Sequence, residues 1–454
     1  MIKKVALKNK SFSKLIDFAN SHLATNLILL FGILLRFIAY IFANPAINQH
    51  DVIKRYGHFD YAMYLFMYHK LPPMGGYEFA QPPINATLQA LLMKFISLFR
   101  DYSDNYLYLY SHTKVLSLIY SIITLIIISK ILSEFDIKKS IKNFILLIMA
   151  TYPGIIIMTI QYSNDPISYM FFYLSLLLTI KWCKNKKLST IVLLALSIGI
   201  GMLTKISVGL IAFVTGPMML VVLIRSIISV NTTREGLISK NNTSSTSNTK
   251  IIYQLIIFAL IVFPIGLSYS IRNYILFDIP IGAISEIAIN TPLDMKNYNY
   301  SFVDRFLSFP FDRIINAESG IYHDYIEYNI WVDLIKTSTF DEFNFTGTIW
   351  HTLCNILYFL NFIFYGLGFI TIILNVKDVI KNMISKEMRK NIIYDPTFNL
   401  KLISVILFIL AITAYVSFNY KYQYSCNSNY RYISYITFAF AISIAIKYLQ
   451  KCQK

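Results

Sequence analysis

Apolar residues in this chain do not alternate with polar ones. They run in long blocks, cut by short clusters of lysine, asparagine and proline. The blocks fall near 24–44, 107–132, 142–160, 166–182, 188–204, 207–226, 251–271, 352–374, 400–418 and 431–449. With ~20 residues per crossing, that pattern predicts about ten membrane-spanning helices. Two intervals, 45–106 and 272–351, are too long to be simple connectors. In the first, Phe59, Ala62, Met63, Phe66 and Met67 recur at helical spacing, which predicts a short amphipathic helix lying along the interface. Leu71-Pro72-Pro73, Gly75-Gly76 and Gln81-Pro82-Pro83 then punctuate the chain where helix cannot continue. The expected fold is an all-α polytopic membrane protein whose large first outward loop carries interfacial helices. No small-residue cleavage site follows the first apolar block, which is also long for a signal peptide, so it reads as an uncleaved span.

Composition agrees. Hydrophobic residues make up 56% of the chain and charged ones 14%, with a mean hydropathy of +0.53. A soluble globule is excluded on that ground. The net charge of +17 is the kind of excess that nucleic-acid binders show. Here, however, the lysines fall between apolar blocks, which fits membrane topology and no nucleic-acid partner. Lys3 to Lys14, Lys138 to Lys142, Lys184 to Lys187, Arg225 to Lys250, Lys377 to Lys390 and Lys447 to Lys454 make every second connection basic. Both termini are therefore expected in the cytosol, with 45–106 and 272–351 facing outward.

The organisation follows. A cytosolic N-terminus (1–23) precedes a membrane module at 24–226, and a polar linker at 227–250 leads to a second module at 251–449 and a short tail (450–454). The linker's core, Asn231–Thr249, is low in complexity and is expected to be disordered. The cysteines Cys183, Cys354, Cys426 and Cys452 show no metal-binding spacing.

Ionisable residues in or beside apolar spans are costly, and each is a functional candidate. Arg36 lies inside the first span, where it either snorkels to the surface or pairs internally. Asp165 follows Asn164 and precedes Pro166, a helix-start pattern that is also an outward acidic site. Lys205, Arg272 and Arg431 stand at outward ends of spans, against the positive-inside trend. Singly each reads as an interfacial anchor; together they suit an anionic ligand.

These residues carry a resemblance. His50-Asp51 after the first span, the segment Gly57 to Tyr68, Leu71-Pro72 and Tyr77-Glu78-Phe79-Ala80-Gln81-Pro82-Pro83 resemble the first outer loop of the GT-C membrane glycosyltransferases. The closest likeness is to the protein O-mannosyltransferase-like group, glycosyltransferase family 39 and its bacterial relatives. Asn164-Asp165 resembles that family's second acidic site, Arg272-Asn273-Tyr274 its later Arg-Asn-Tyr, and Asn429-Tyr430-Arg431-Tyr432 its late Arg-Tyr. The chain differs from the family where Val52 stands in place of the usual Glu and Gln81 in place of His or Lys.

The resemblance implies an inverting hexosyltransferase, mannose being one option, that uses a polyprenyl-phosphate-sugar donor. The acceptor would be a protein, lipid or glycan on the outer side. Asp51 would be the general base, with Asp60 in reserve, and Arg272, Arg431 and Lys205 would bind the donor phosphate. His50 and His58 would position the acceptor. With Asp51 and Asp60 they also permit a divalent metal, although no cofactor is demanded. A bacterial plasma membrane is the expected site, with the endoplasmic reticulum as the alternative. A multispan transporter or lipid flippase is the competing function, and a non-catalytic scaffold a third.

The lysine pattern has a direct check. Single cysteines introduced in 45–106 and 272–351 are expected to react with an impermeant maleimide on intact cells. Cysteines between Asn231 and Thr249 should react only after permeabilisation, and the reverse pattern would invert the topology.

Overall fold

The computed structural model describes residues 10–43, 52, 56–73, 77–99, 106–235, 243–282, 294–315, 327–341, 348–384 and 396–449. Within them every regular element is helical, and β pairing amounts to one isolated bridge between Asp294 and Tyr424. In chain order, α1 (Lys10–Ala19) and α2 (His22–Phe42) come first. The first long interval holds α3 (His58–Tyr68) and α4 (Ile84–Ser97), and α5 (Tyr106–Thr113) opens the second apolar block. Then follow α6 (Val115–Ser133), α7 (Lys139–Thr151), α8 (Pro153–Ile157), α9 (Asp165–Asn185) and α10 (Leu188–Met202). After α11 (Ala212–Glu235) and α12 (Thr243–Phe277), the second long interval contributes α13 (Phe311–Ile315) and α14 (Ile330–Phe340). The chain ends on α15 (Thr348–Ile384), α16 (Pro396–Lys421) and α17 (Tyr435–Ile444).

Among the described residues, seven helices are long and apolar enough to cross a membrane, or up to eight if one bent pair counts as a span. The chain is thus an all-α, multi-pass membrane protein. Those seven coincide with the first, second, fourth, sixth, seventh, eighth and ninth expected spans. The third is the bent pair, Lys139–Thr151 and Pro153–Ile160, which turn by 53°. The fifth and tenth are shorter apolar helices, Leu188–Met202 and Tyr435–Leu449. At ~1.5 Å per residue they fall short of a ~30 Å hydrocarbon core. The last helix begins at Tyr435, so Arg431 lies before it in a 3₁₀ turn, Tyr430–Tyr432. The linker also departs from expectation: α11 continues to Glu235 and α12 starts at Thr243. Once a long apolar helix is nucleated, extending it through polar residues costs little.

Two compact units interleave along the chain. The first comprises Met1–Asn44, Phe135–Ile160 and Glu286–Lys454, and the second Pro45–Glu134 and Gln161–Ser285. In the second, α9 packs on α6 and α10, and α10 on α12. In the first, α17 packs on α15 and α16, and α2 on α7. A Cβ at Gly368 would come within 2.4 Å of the Phe440 ring, so only glycine lets α15 approach α17 this closely.

The first unit accounts for Arg36. Pro153 has no N–H, so the helical partner of the Met149 carbonyl is missing. The extended Tyr152 (ψ 123°) also ends α7 there, leaving the neighbouring carbonyl open. The Arg36 guanidinium, 1% exposed, supplies the donors. Nη2 donates to Met149 O at 3.3 Å, and Nη1 donates to Ala150 O at 3.0 Å and Gly32 O at 2.9 Å. Of the two readings of this residue, internal pairing is the one the fold adopts. Asn143 fixes the other end of the same contact. Its Oδ1 accepts from Thr25 Oγ1 at 2.7 Å and its Nδ2 donates to Ala19 O at 2.9 Å.

Arg36→Met is therefore expected to orphan two carbonyls at about 1–3 kcal/mol each. Thermal unfolding of the purified protein in detergent should fall markedly, with Arg36→Lys recovering part of the loss. An unchanged unfolding temperature in Arg36→Met would remove this role.

Candidate active site

The described residues of the first long interval fold as a small cap within the second unit. At Gly57 the backbone is extended (φ −71°, ψ 179°). The N–H of Gly57 donates to Asp60 Oδ2 at 3.0 Å, so this carboxylate caps the start of α3. The helix stops at His69 in the left-handed region (φ 53°), directly before Leu71-Pro72-Pro73. Upstream, Phe59 N–H donates to Val52 O at 2.9 Å, which doubles the chain back on itself.

The amphipathic helix thus exists, but its buried residues are His58, Phe59, Tyr61 and Ala62, while Met67 is exposed. Val52, Phe59, Tyr61, Ala62, Phe79 and Tyr162 belong to one apolar kernel of the cap. Phe59 meets Tyr110 and Tyr162 edge-on at 5.5 and 5.7 Å. Such aromatic pairs add about 0.5–1.5 kcal/mol each beyond area burial.

Two polar devices sit in this kernel. His58 Nδ1 lies 3.1 Å from Glu78 Oε2, each side chain 10% exposed. The sequence pointed to His58 but not to its partner, because their pairing depends on the 3₁₀ turn Tyr77–Ala80 folding back. The second device is a phenol pair. Tyr61 and Tyr269 share a hydrogen bond of 2.9 Å, and Tyr269 donates onward to Phe79 O at 2.9 Å. With its hydroxyl hydrogen on Phe79, Tyr269 is the acceptor in that pair. Burial, then the neighbouring Tyr269, pushes the Tyr61 phenol above its usual range, so it stays protonated.

Arg272 and Asn273 clamp the cap from α12. Arg272 Nη2 donates to Pro72 O at 2.9 Å and Nη1 to Asn273 Oδ1 at 3.0 Å. Its guanidinium stacks 5.3 Å from the ring centroids of both Tyr269 and Phe277. Asn273 Nδ2 donates to Ala80 O at 2.8 Å. Much of the Arg272 guanidinium is therefore spent on holding the loop.

The Asn164-Asp165 turn belongs to the same unit. Asn85, at the start of α4, donates from Nδ2 to Ser163 O at 3.1 Å and to Asn164 Oδ1 at 3.0 Å. It is 1% exposed, a buried asparagine that ties α4 to the turn before α9. Asp165 is the first residue of α9, with Asn164 in the capping position. Its carboxylate meets Lys205 Nζ at 2.5 Å, the side chains 5% and 17% exposed. Lys205 is a neutralised cation.

Sequence reasoning passed over Lys114. It stands at the start of α6 and is 3% exposed. Among the described residues its ammonium has neither an ion pair nor a hydrogen bond. A lysine within an apolar span was the signal available. Gln81 is half-buried, and the hydrogen bond it makes is from its own N–H to Glu78 O at 3.0 Å.

The remaining candidates lie elsewhere. Arg36 and Arg431 belong to the first unit. Arg431 Nη2 donates to Tyr432 Oη at 3.2 Å, and its N–H donates to Asn429 Oδ1 at 2.8 Å. His50 and Asp51 lie outside the described residues. Among the described residues no three of His, Cys, Asp and Glu come together as a metal site.

The buried pair generates a double-mutant prediction. Lys205→Met alone strands the Asp165 carboxylate and should cost about 3–5 kcal/mol, read as a lower unfolding temperature. The double variant Asp165→Asn/Lys205→Met should recover most of that loss. Additive losses would mean that the two charges do not interact. Compared with known proteins, the chain matches no family model and no curated protein sequence.

Proposed function

We propose that the chain is an inverting membrane hexosyltransferase that takes its sugar from a polyprenyl-phosphate donor and works on the outer side of a bacterial plasma membrane. The observation that carries this reading is Lys114, a lysine 3% exposed and without a charge partner among the described residues. It lies in the unit that also contains the folded cap. Asp165 already neutralises Lys205, and Arg272 is tied to Pro72 and Asn273. Lys114 is the buried cation left in this unit, among the described residues, to meet a phosphate.

In the reaction, Asp51 takes the proton of the acceptor hydroxyl as its oxygen bonds to the anomeric carbon. The bond from that carbon to the phosphate oxygen breaks, and inversion follows from attack on the opposite face. The leaving phosphate gains charge, which the cation stabilises electrostatically. The tail of the donor lies along the apolar helices. The acceptor is a hydroxyl of a protein, lipid or glycan.

The test is transfer from a panel of polyprenyl-phosphate hexoses by purified protein, with donor binding measured on the same samples. Asp51→Asn is expected to lose about 10²–10⁴ in rate while still binding donor. Asp60→Asn should cost less rate and about 1 kcal/mol of stability, because that carboxylate caps α3. Lys114→Gln should weaken donor binding more than Lys205→Gln, and Arg431→Gln tests the cation of the other unit. Full turnover by Asp51→Asn would move the base elsewhere. Movement of labelled lipid with no sugar transfer by the wild type would replace this reading with a flippase.

A further inference from the structure

Arg305, in the first unit, poses a separate electrostatic problem. It sits in a π turn, Val303–Leu307, and is 4% exposed. Its Nη1 donates to Gln423 Oε1 at 3.2 Å, and its Cζ lies 5.3 Å from the Phe306 ring centroid. Its Nε is buried without a hydrogen-bond partner. It forms no ion pair with any described residue.

Two acids of this unit are committed to other groups. Asp304 accepts from Ser301 Oγ at 2.7 Å and Ser301 N–H at 3.0 Å. Glu327 accepts from Arg313 Nη2 at 2.9 Å and from Asn329 N–H at 3.1 Å. A guanidinium withdrawn from water without a counter-anion is destabilising, and burial holds Arg305 below the usual arginine range.

The surroundings describe what would relieve it. Gln423 is fixed from behind, since its carbonyl accepts from Met295 N–H at 2.8 Å. Near the end of α16 and in the turn beyond it, Asn419 Oδ1 and Ser425 Oγ are also buried without partners. Around this polar spot the surface is apolar: Phe302, Val303, Leu307, Phe309 and Tyr420 are all exposed. Phe302 stacks on Phe306 at 4.8 Å, and Tyr420 meets Phe306 edge-on at 6.3 Å. A buried unpaired cation ringed by exposed apolar side chains suits an anion that carries a hydrocarbon tail.

We propose that Arg305 is the headgroup site of an anionic phospholipid, whose phosphate accepts from the Nε and Nη2 edge while its chains lie against Phe302, Leu307 and Tyr420. The bidentate fork of arginine matches a phosphate better than a lysine would. This site is independent of the sugar-transfer reading and needs no turnover to be observed.

The experiment uses the full chain in nanodiscs of phosphatidylcholine, with phosphatidylglycerol added in steps. A parallel arm keeps phosphatidylcholine alone and supplies soluble glycerol phosphate. Two signals are read: the unfolding temperature, and the emission of Trp331, whose Nε1 donates to Phe306 O at 2.9 Å. Phosphatidylglycerol is expected to raise the unfolding temperature by about 2–4 °C and to shift Trp331 saturably. Glycerol phosphate should do neither.

Arg305→Met should lose both responses and, in phosphatidylcholine, unfold no earlier than the wild type. Arg305→Lys should keep a weaker response, and Arg313→Gln a full one. Equal responses to glycerol phosphate would make this a free-anion site. A response retained in Arg305→Met, or an Arg305→Met chain that unfolds well below the wild type, would overturn the proposal.

Discussion

The interior of this protein is governed by one requirement: where water is excluded, every backbone and side-chain polar group needs a partner within the protein. The first unit meets it at the kink before Pro153 with a guanidinium, which allows a helix to bend by 53° inside apolar surroundings. Asn361 does the same for α14, where its Nδ2 lies 3.1 Å from Ile335 O and 2.8 Å from Ser338 Oγ, and its Oδ1 accepts from Tyr152 at 2.7 Å. The second unit repeats the solution with Trp182 donating to Gln254 Oε1 at 2.7 Å. Local irregularity is thus possible where a long polar side chain reaches it.

The same requirement sorts the charged residues. Lys205 has its Asp165, Arg313 its Glu327 and Lys401 its Asp378. Such pairs are close to neutral in stability, but their charges are unavailable to anything else. Lys114 and Arg305 are different, being buried cations that pair with no acid among the described residues. Each lies on its own unit, and each carries its own hypothesis about an anion. Position near a membrane face drew attention to Arg272, Arg431 and Lys205, whereas neutralisation decides which cations remain in play.

Much of the architecture was legible because hydropathy is a one-dimensional signal. Twenty apolar residues in a row have few alternatives, and seven expected spans are single long helices. What failed was local. Pro153 was visible inside the third block, yet its effect depends on Arg36 being there to accept the break. The polar stretch after α11 looked disordered by composition, but helical propagation carried it to Glu235. In the cap, the bond from Gly57 N–H to Asp60 gives that acid a structural role that hydropathy does not reveal. His58 and Glu78 stand twenty positions apart, with α3 between them, and their contact had no periodic signature. Lys114 was legible as a charge in an apolar block and was missed among the more conspicuous outward cations.

The interleaving of the two units bears on how the chain is made. Synthesis delivers α2 first, then the smaller part of the second unit, then α7 and α8, then the rest of the second unit, and only after Glu286 the helices against which these early segments pack. The second unit can close once Ser285 has emerged, while the first stays open until the C-terminal helices arrive. During that interval α2, carrying Arg36, depends on α7 and α8 alone for its polar contacts. The first unit is accordingly the one exposed to premature lipid contact or to quality-control proteases, and truncation of the C-terminal helices should harm it first.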